Sequence, residues 1–172
     1  MMKKKKIIAF LCCLCLMFVF SGCRSEKKTK KTDKQEGVAV YYTDKDCTRL
    51  ISVKKKISST DNRQQKVELL LKEMQTNRKD SMYKSAIPKR VIMNNVTVSS
   101  NVVSIDFSTG YKKIAENEDL ICRAGIVYTL TQLEDINYVS FSVSGKAMLD
   151  TDGKAIGALG RDSFVFGELP MK

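Results

Sequence analysis

The chain has no histidine and no tryptophan, and only two prolines among its 172 residues. The missing histidine removes Ser-His-Asp and Cys-His dyads, most catalytic zinc sites and the usual proton shuttle near neutral pH. Glycine is sparse, at nine residues, and no Gly-rich phosphate loop follows a strand pattern. No apolar run reaches the roughly 20 residues of a membrane-spanning helix. From Gly37 to Lys172 there is no internal repeat and no Pro/Gly-rich linker, and these 136 residues are the size of one ordinary domain.

What is present begins with an address. Lys3–Lys6 form a basic start, and Ile7–Phe20 a fourteen-residue apolar run. Fourteen residues make about 21 Å of helix, short of a hydrocarbon core of roughly 30 Å. A signal peptide therefore fits better than a permanent anchor. Phe20-Ser21-Gly22-Cys23 resembles the bacterial lipobox, in which the cysteine is diacylated and the chain is cut before it. Lipoboxes usually carry Leu or another aliphatic where Phe20 stands. The resemblance implies a signal peptide over 1–22, a lipidation site at Cys23 and membrane lipid as a partner. It places the domain on the outer face of the cytoplasmic membrane in a Gram-positive-type envelope. Two acyl chains suffice for stable anchoring, where one is marginal. The blander alternative is an ordinary secretory signal that happens to end near a cysteine.

Of six cysteines, Cys12, Cys13 and Cys15 leave with the signal peptide and Cys23 takes lipid, so Cys47 and Cys122 remain in the folded part. The compartment permits a disulfide between them, but two small buried thiols are the simpler expectation. Without histidine they cannot fill a tetrahedral metal shell. Residues 24–36 hold six basic and three acidic side chains and no large apolar one, the composition of a disordered linker. The raw net charge of +11 falls to +4 over residues 37–172. With no concentrated basic stripe, nucleic acid is not an expected partner. The basic linker suits an anionic membrane surface.

The pattern from Gly37 onward predicts a single α+β domain in the order ββ-α-ββ-α-β, a mixed sheet with two helices packed on one face. Val38–Thr43 and Leu50–Ile57 read as a hairpin around Asp44-Lys45-Asp46. Ser59 and Thr60 are cap candidates for a helix over Asp61–Gln75, with Val67, Leu70, Leu71 and Met74 on its face. Val91–Val98 and Val102–Phe107 read as strands joined at Ser99–Asn101. The densest stretch, Asp119–Gly145, reads as a helix, a turn of two to four residues and a strand. Leu120, Ala124, Val127 and Thr131 set the helix spacing, with Asn117 as its N-cap. Gly125 costs about 1 kcal/mol against Ala in a helix interior, so close packing is its expected reason. Val139, Phe141 and Val143 alternate with serines and Tyr138. Turns at Ser144-Gly145 and Asp152-Gly153 precede a last strand over Ser163–Phe166.

Several runs invite a chemical reading. Ser52–Lys55 and Ser81–Lys84 have Ser-x-x-Lys spacing, but the companion motifs of penicillin-binding enzymes are absent. Asp150-Thr151-Asp152-Gly153 is half a calcium loop, better read as a turn. Glu116, Glu118 and Asp119 suit a helix N-terminus without catalysis. The expectation is no catalytic, cofactor-binding or metal residue. Val102–Phe107 and Val139–Val143 are candidate edges for strand addition, with pairing inside a sheet as the alternative.

The order of pieces resembles the GerM-type (GerMN) domain of sporulation and spore-germination proteins. The matching pieces are Val38–Asp44, Ile87-Pro88, Val103–Ser108, Ile126–Leu133 (Ile-Val-Tyr-Thr-Leu-Thr-Gln-Leu) and Val139–Lys146. Departures fall in loops: Thr76–Asp80 where Gly-Pro is usual, Ser100-Asn101 where Asp-Gly is frequent, and Ser144-Gly145. The resemblance implies a non-catalytic assembly or binding module whose partner is a protein or a second copy, with peptidoglycan as a further candidate. It implies that Asp106 and Ser108 cap a strand end and that Tyr128 and Thr129 are helix packing positions. The competing class is a small-ligand-binding or hydrolytic envelope lipoprotein with a pocket between sheet and helices. An apolar pocket with convergent polar groups favours that class. A closed core with an exposed edge strand favours assembly.

Overall fold

The computed structural model describes residues 37–58, 60–76 and 82–164. Residues 1–36, with the expected signal peptide, Cys23 and the expected linker, therefore lie outside the described residues. In chain order the elements are β1 (Val38–Thr43), β2 (Leu50–Lys55), α1 (Arg63–Gln75), β3 (Met93–Ser99), β4 (Val102–Phe107), a 3-10 turn (Thr109–Lys113), α2 (Glu116–Leu130), β5 (Tyr138–Val143), β6 (Lys146–Ala147) and a second 3-10 turn (Arg161–Ser163). The expected α+β order stands. The strands divide between two sheets instead of joining one: β1 and β2 form a hairpin of their own, and the second sheet runs β3-β4-β5-β6.

In the larger sheet β4 pairs antiparallel with β3 and parallel with β5. A parallel neighbour needs a crossover, which α2 supplies. Val103, Ile105 and Phe107 of β4 join Val139, Phe141 and Val143 of β5 on one buried face. Val67, Leu70, Leu71 and Met74 of α1 and Ala124, Val127 and Leu130 of α2 complete the same core. The opposite face is polar, with Thr97, Ser104 and Ser140 in one row across three strands. Ser140 Oγ donates to Ser104 Oγ at 2.8 Å.

Local chemistry moved several boundaries. α2 begins at Glu116 after Ala115, so Asn117 lies inside the helix and does not cap it. The Glu118 carboxylate accepts the Ala115 N–H at 3.3 Å instead. Ile121, Ala124, Gly125 and Val127 face inward, and Leu120, placed on the apolar face by spacing, is 42% exposed. α1 begins at Arg63 because Asn62 caps it, accepting the Gln65 N–H at 3.1 Å. Thr60 acts one step earlier, accepting the Asn62 N–H at 3.2 Å, and Ser59 lies outside the described residues. The connection to β5 spans residues 131–137, longer than expected, and includes Asp135 at φ +66°. β3 starts at Met93 because Val91 turns back to donate to the Pro88 carbonyl at 2.8 Å. The last strand does not form at Ser163 and Phe164. Ser163 closes a 3-10 turn, and Leu159 pairs with Val139 through bonds of 2.9 and 2.8 Å. Val165 and Phe166 lie outside the described residues.

Gly125 has the packing reason expected of it. A Cβ there would stand 3.0 Å from Ala86 Cβ, 3.4 Å from Leu50 Cδ2 and 3.5 Å from Met74 Cε. The helix, the hairpin and the loop before β3 therefore meet at one point without side-chain volume.

Candidate functional site

The structure disperses the residues that invited a chemical reading. Ser52 lies in β2, and Ser81 is outside the described residues. Asp150 spends one carboxylate oxygen on its own turn, accepting the N–H groups of Asp152 and Lys154 at 2.9 and 2.8 Å. Glu118 pairs with Arg90, and Asp119 accepts from Tyr111 Oη and from Arg123 at 3.0 and 2.6 Å. These acids organise the start of α2. Burial pushes the Tyr111 phenol and the Cys122 thiol up. Cys47 and Cys122 are both buried and free. Among the described residues, no three His, Cys, Asp or Glu side chains converge on a metal position.

Two surface hollows stand out among the described residues. One, of about 330 Å³, lies between Cys47, the segment Lys84–Arg90 and Glu118. The other, of about 450 Å³, is lined by Gly37, Val38, Lys56–Ser58, Thr60, Asp61 and Lys66. Between helices and sheet, Val40, Leu70, Val127 and Ile105 are buried.

The strand edges show a more specific design. Along the outer side of β1, Ala39, Tyr41 and Thr43 present their backbone groups away from β2. Gln132 of the loop after α2 answers Ala39, accepting its N–H at 3.2 Å and donating Nε2 to its carbonyl at 2.6 Å. Thr129 Oγ1 accepts the Tyr41 N–H at 3.0 Å. Thr43 exchanges both bonds with Lys84, at 2.9 and 2.8 Å. The outer edge of β3 is answered in the same manner by Gln64 of α1, which donates to Val96 O at 2.7 Å and accepts from Val98 N at 2.9 Å. A side-chain amide presents its carbonyl oxygen and its NH2 group side by side, so it can answer a strand's outward N–H and C=O much as a neighbouring strand does.

The antiparallel ladder then decides where β2 points. Because residues 39, 41 and 43 turn outward, the bonded pairs with β2 are Val38–Lys55, Val40–Val53 and Tyr42–Ile51. The N–H and C=O groups of Ser52 and Lys54 face out of the hairpin. Among the described residues nothing hydrogen-bonds to them. Ser52, Lys54 and the following Lys56 are exposed. The expected edges are thus corrected: Val102–Phe107 and Val139–Val143 are internal strands, and the open edge is β2.

Asp106, implied as a strand-end cap, does that work. It accepts from Ser142 Oγ at 2.6 Å, Asn94 Nδ2 at 2.9 Å and Gly145 N at 2.8 Å. These bonds, the Ser142 hydroxyl foremost, hold its carboxyl below the usual range. Ser108 makes no side-chain cap bond. Tyr128 packs against Tyr41 with ring centroids 5.4 Å apart, and the Arg161 guanidinium lies over its ring at 4.9 Å. The roles of Gln64 and Gln132 were missed from sequence. Neither glutamine belongs to a local period or motif that would have marked it.

A family model described as Germane, sporulation and spore germination, matches residues 39–149. The first GerMN domain of the sporulation protein GerM from Bacillus subtilis superposes with a TM-score of 0.58 at 17% identity, covering 73% of this chain and 97% of that one. The tandem GerMN domains of the same protein give 0.54 at 18% identity, over 74% of this chain and 46% of that one, so the chain spans about half the tandem structure. A provisionally assigned lipoprotein from Clostridium perfringens gives 0.51 at 16% identity, over 73% and 87%. At these identities the likenesses establish the fold. No curated protein matches the chain in sequence.

Proposed function

The chain belongs to the Germane family of sporulation and spore germination domains, and from that premise we propose that it is a non-catalytic assembly or binding module tethered to the outer face of the cytoplasmic membrane. The tether is a diacylated Cys23, reached through the basic segment 24–36. The module works by contact with a protein partner at the envelope, and peptidoglycan is the second candidate for that contact. The observation that carries this reading is the pairing of a buried apolar core with, among the described residues, one unanswered strand edge, on β2. A buried ligand pocket would have called for the hydrolytic or small-ligand class, and the two hollows are surface features lined in part by lysines.

The test has two arms. Labelling with a radioactive or clickable fatty acid in a Gram-positive host should mark the wild-type chain and leave Cys23→Ser unmarked and released from the membrane. An unmarked wild-type chain sinks the tether. Light scattering coupled to size exclusion on the detergent-solubilised chain, alone and with solubilised peptidoglycan fragments, reports assembly. Turnover of those fragments would sink the non-catalytic reading.

A further inference from the structure

We propose that the outer edge of β2 takes up an acidic, extended segment of a partner protein as an added strand. This rests on the assembly reading above and names its surface and the chemistry of its partner.

The first support is selectivity among edges. An unpaired strand edge is a template for another chain, and folded proteins cover or blunt it. Here β1 is covered by Gln132, Thr129 and Lys84, and β3 by Gln64. β6 is two residues long. The β2 edge alone, among the described residues, offers two successive outward N–H and C=O pairs, at Ser52 and Lys54, with no answering group. That spacing, every second residue, is what an added strand requires.

The second support is charge. Lys55 is taken by Glu73 at 2.9 Å, and Arg49 by Asp44 at 3.4 Å. Lys54 and Lys56 are exposed, and no carboxylate among the described residues pairs with either. Lys56 also borders the 450 Å³ hollow just past the end of β2, where Lys66 adds a second cation and Asp61 the one carboxylate. An incoming strand with acidic side chains finds a cation on the open face and a second at the strand's end.

A second copy of this chain fits worse. Residues 49–56 (RLISVKKK) hold four cations and no carboxylate, so pairing with the same edge of a second copy brings two basic strands together. Like charges directly opposed across strands are destabilising.

The experiment is amide hydrogen exchange by NMR on the full chain in detergent. The probes are a short capped peptide alternating glutamate and valine, and its lysine-for-glutamate counterpart. The acidic peptide should slow exchange at Ser52 and Lys54 by about tenfold or more, and the basic peptide should not. Lys54→Glu with Lys56→Glu should weaken the acidic peptide by about tenfold. Ser52→Pro should abolish the protection, because it deletes an outward N–H that β1 does not use. If Ser52→Pro fails to fold, the charge reversal still decides. Equal protection by both peptides, or protection elsewhere only, overturns the proposal. So does slow exchange at Ser52 and Lys54 in the chain alone, or protection that grows with protein concentration without peptide, which assigns the edge to a second copy. None of these outcomes alters the fatty-acid or turnover readouts, so the two readings fail separately.

Discussion

Gln132 and Ala39 stand 93 positions apart, yet the side-chain amide of one meets both main-chain groups of the other, at 3.2 and 2.6 Å. The contact locks the end of α2 to the first strand and closes an edge that would otherwise resemble that of β2. Replacing Gln132 by Ala should cost about 1–3 kcal/mol, since it leaves a part-buried donor and acceptor without partners. The urea midpoint checks this. An unchanged midpoint would mean that water answers Ala39 as well as the amide does.

Gly125 should tolerate no branched side chain. Gly125→Val drives a Cβ to 3.0 Å from Ala86 and adds two methyls toward Leu50 and Met74. The expected loss is about 1–3 kcal/mol from overpacking, read as a lowered thermal midpoint. A variant as stable as wild type would show that the loop carrying Ala86 moves freely.

Asp106 should contribute an acid-sensitive part of stability. Its folded carboxyl is held below the usual range by Ser142, Asn94 and Gly145. A depressed folded pKa gives stability that is complete above the unfolded value, about 3.9. It is lost as pH falls through the lower folded value. Asp106→Asn should therefore flatten the fall in stability below about pH 4 and leave its shape near pH 7 unchanged. Asp44, depressed by Thr48 and Arg49 against the opposing effect of burial, keeps its own share of that fall. An acid limb identical in wild type and Asp106→Asn would contradict the assignment.

Cys122 should be chemically silent in the folded protein. It is wholly buried, and burial raises its thiol far above the ordinary range; the thiolate is the reacting form. Alkylation at pH 8, followed by mass spectrometry, should modify Cys122 only at the rate of unfolding. Rapid labelling in the native state would show that the start of α2 opens locally.

Much of this architecture was legible in periodicity alone. Alternation located β1, β4 and β5, and the stripe Val67, Leu70, Leu71 and Met74 located α1. Each of those signals lies within one element, so neighbouring residues suffice to read it. The phase of α2 was less legible. Its apolar residues surround much of the helix, and the packing of Gly125 under Ala86 turned Leu120 outward. Caps slipped by two or three residues because Ala115, Glu118 and Asn62 compete locally in ways that spacing does not rank.

The sequence by itself determined the α+β class, the absence of histidine from its chemistry and the family resemblance, because these depend on composition, local period and order. Only the tertiary structure decided that the strands form two sheets, that β4 and β5 are internal, and that Gln64 and Gln132 close two edges while β2 stays open. Those outcomes depend on which backbone groups meet across tens of residues. A hydrogen bond between Gln132 and Ala39 leaves no period in the chain, since either residue alone is compatible with many folds. Their meeting is fixed by the packing of α2 against the hairpin.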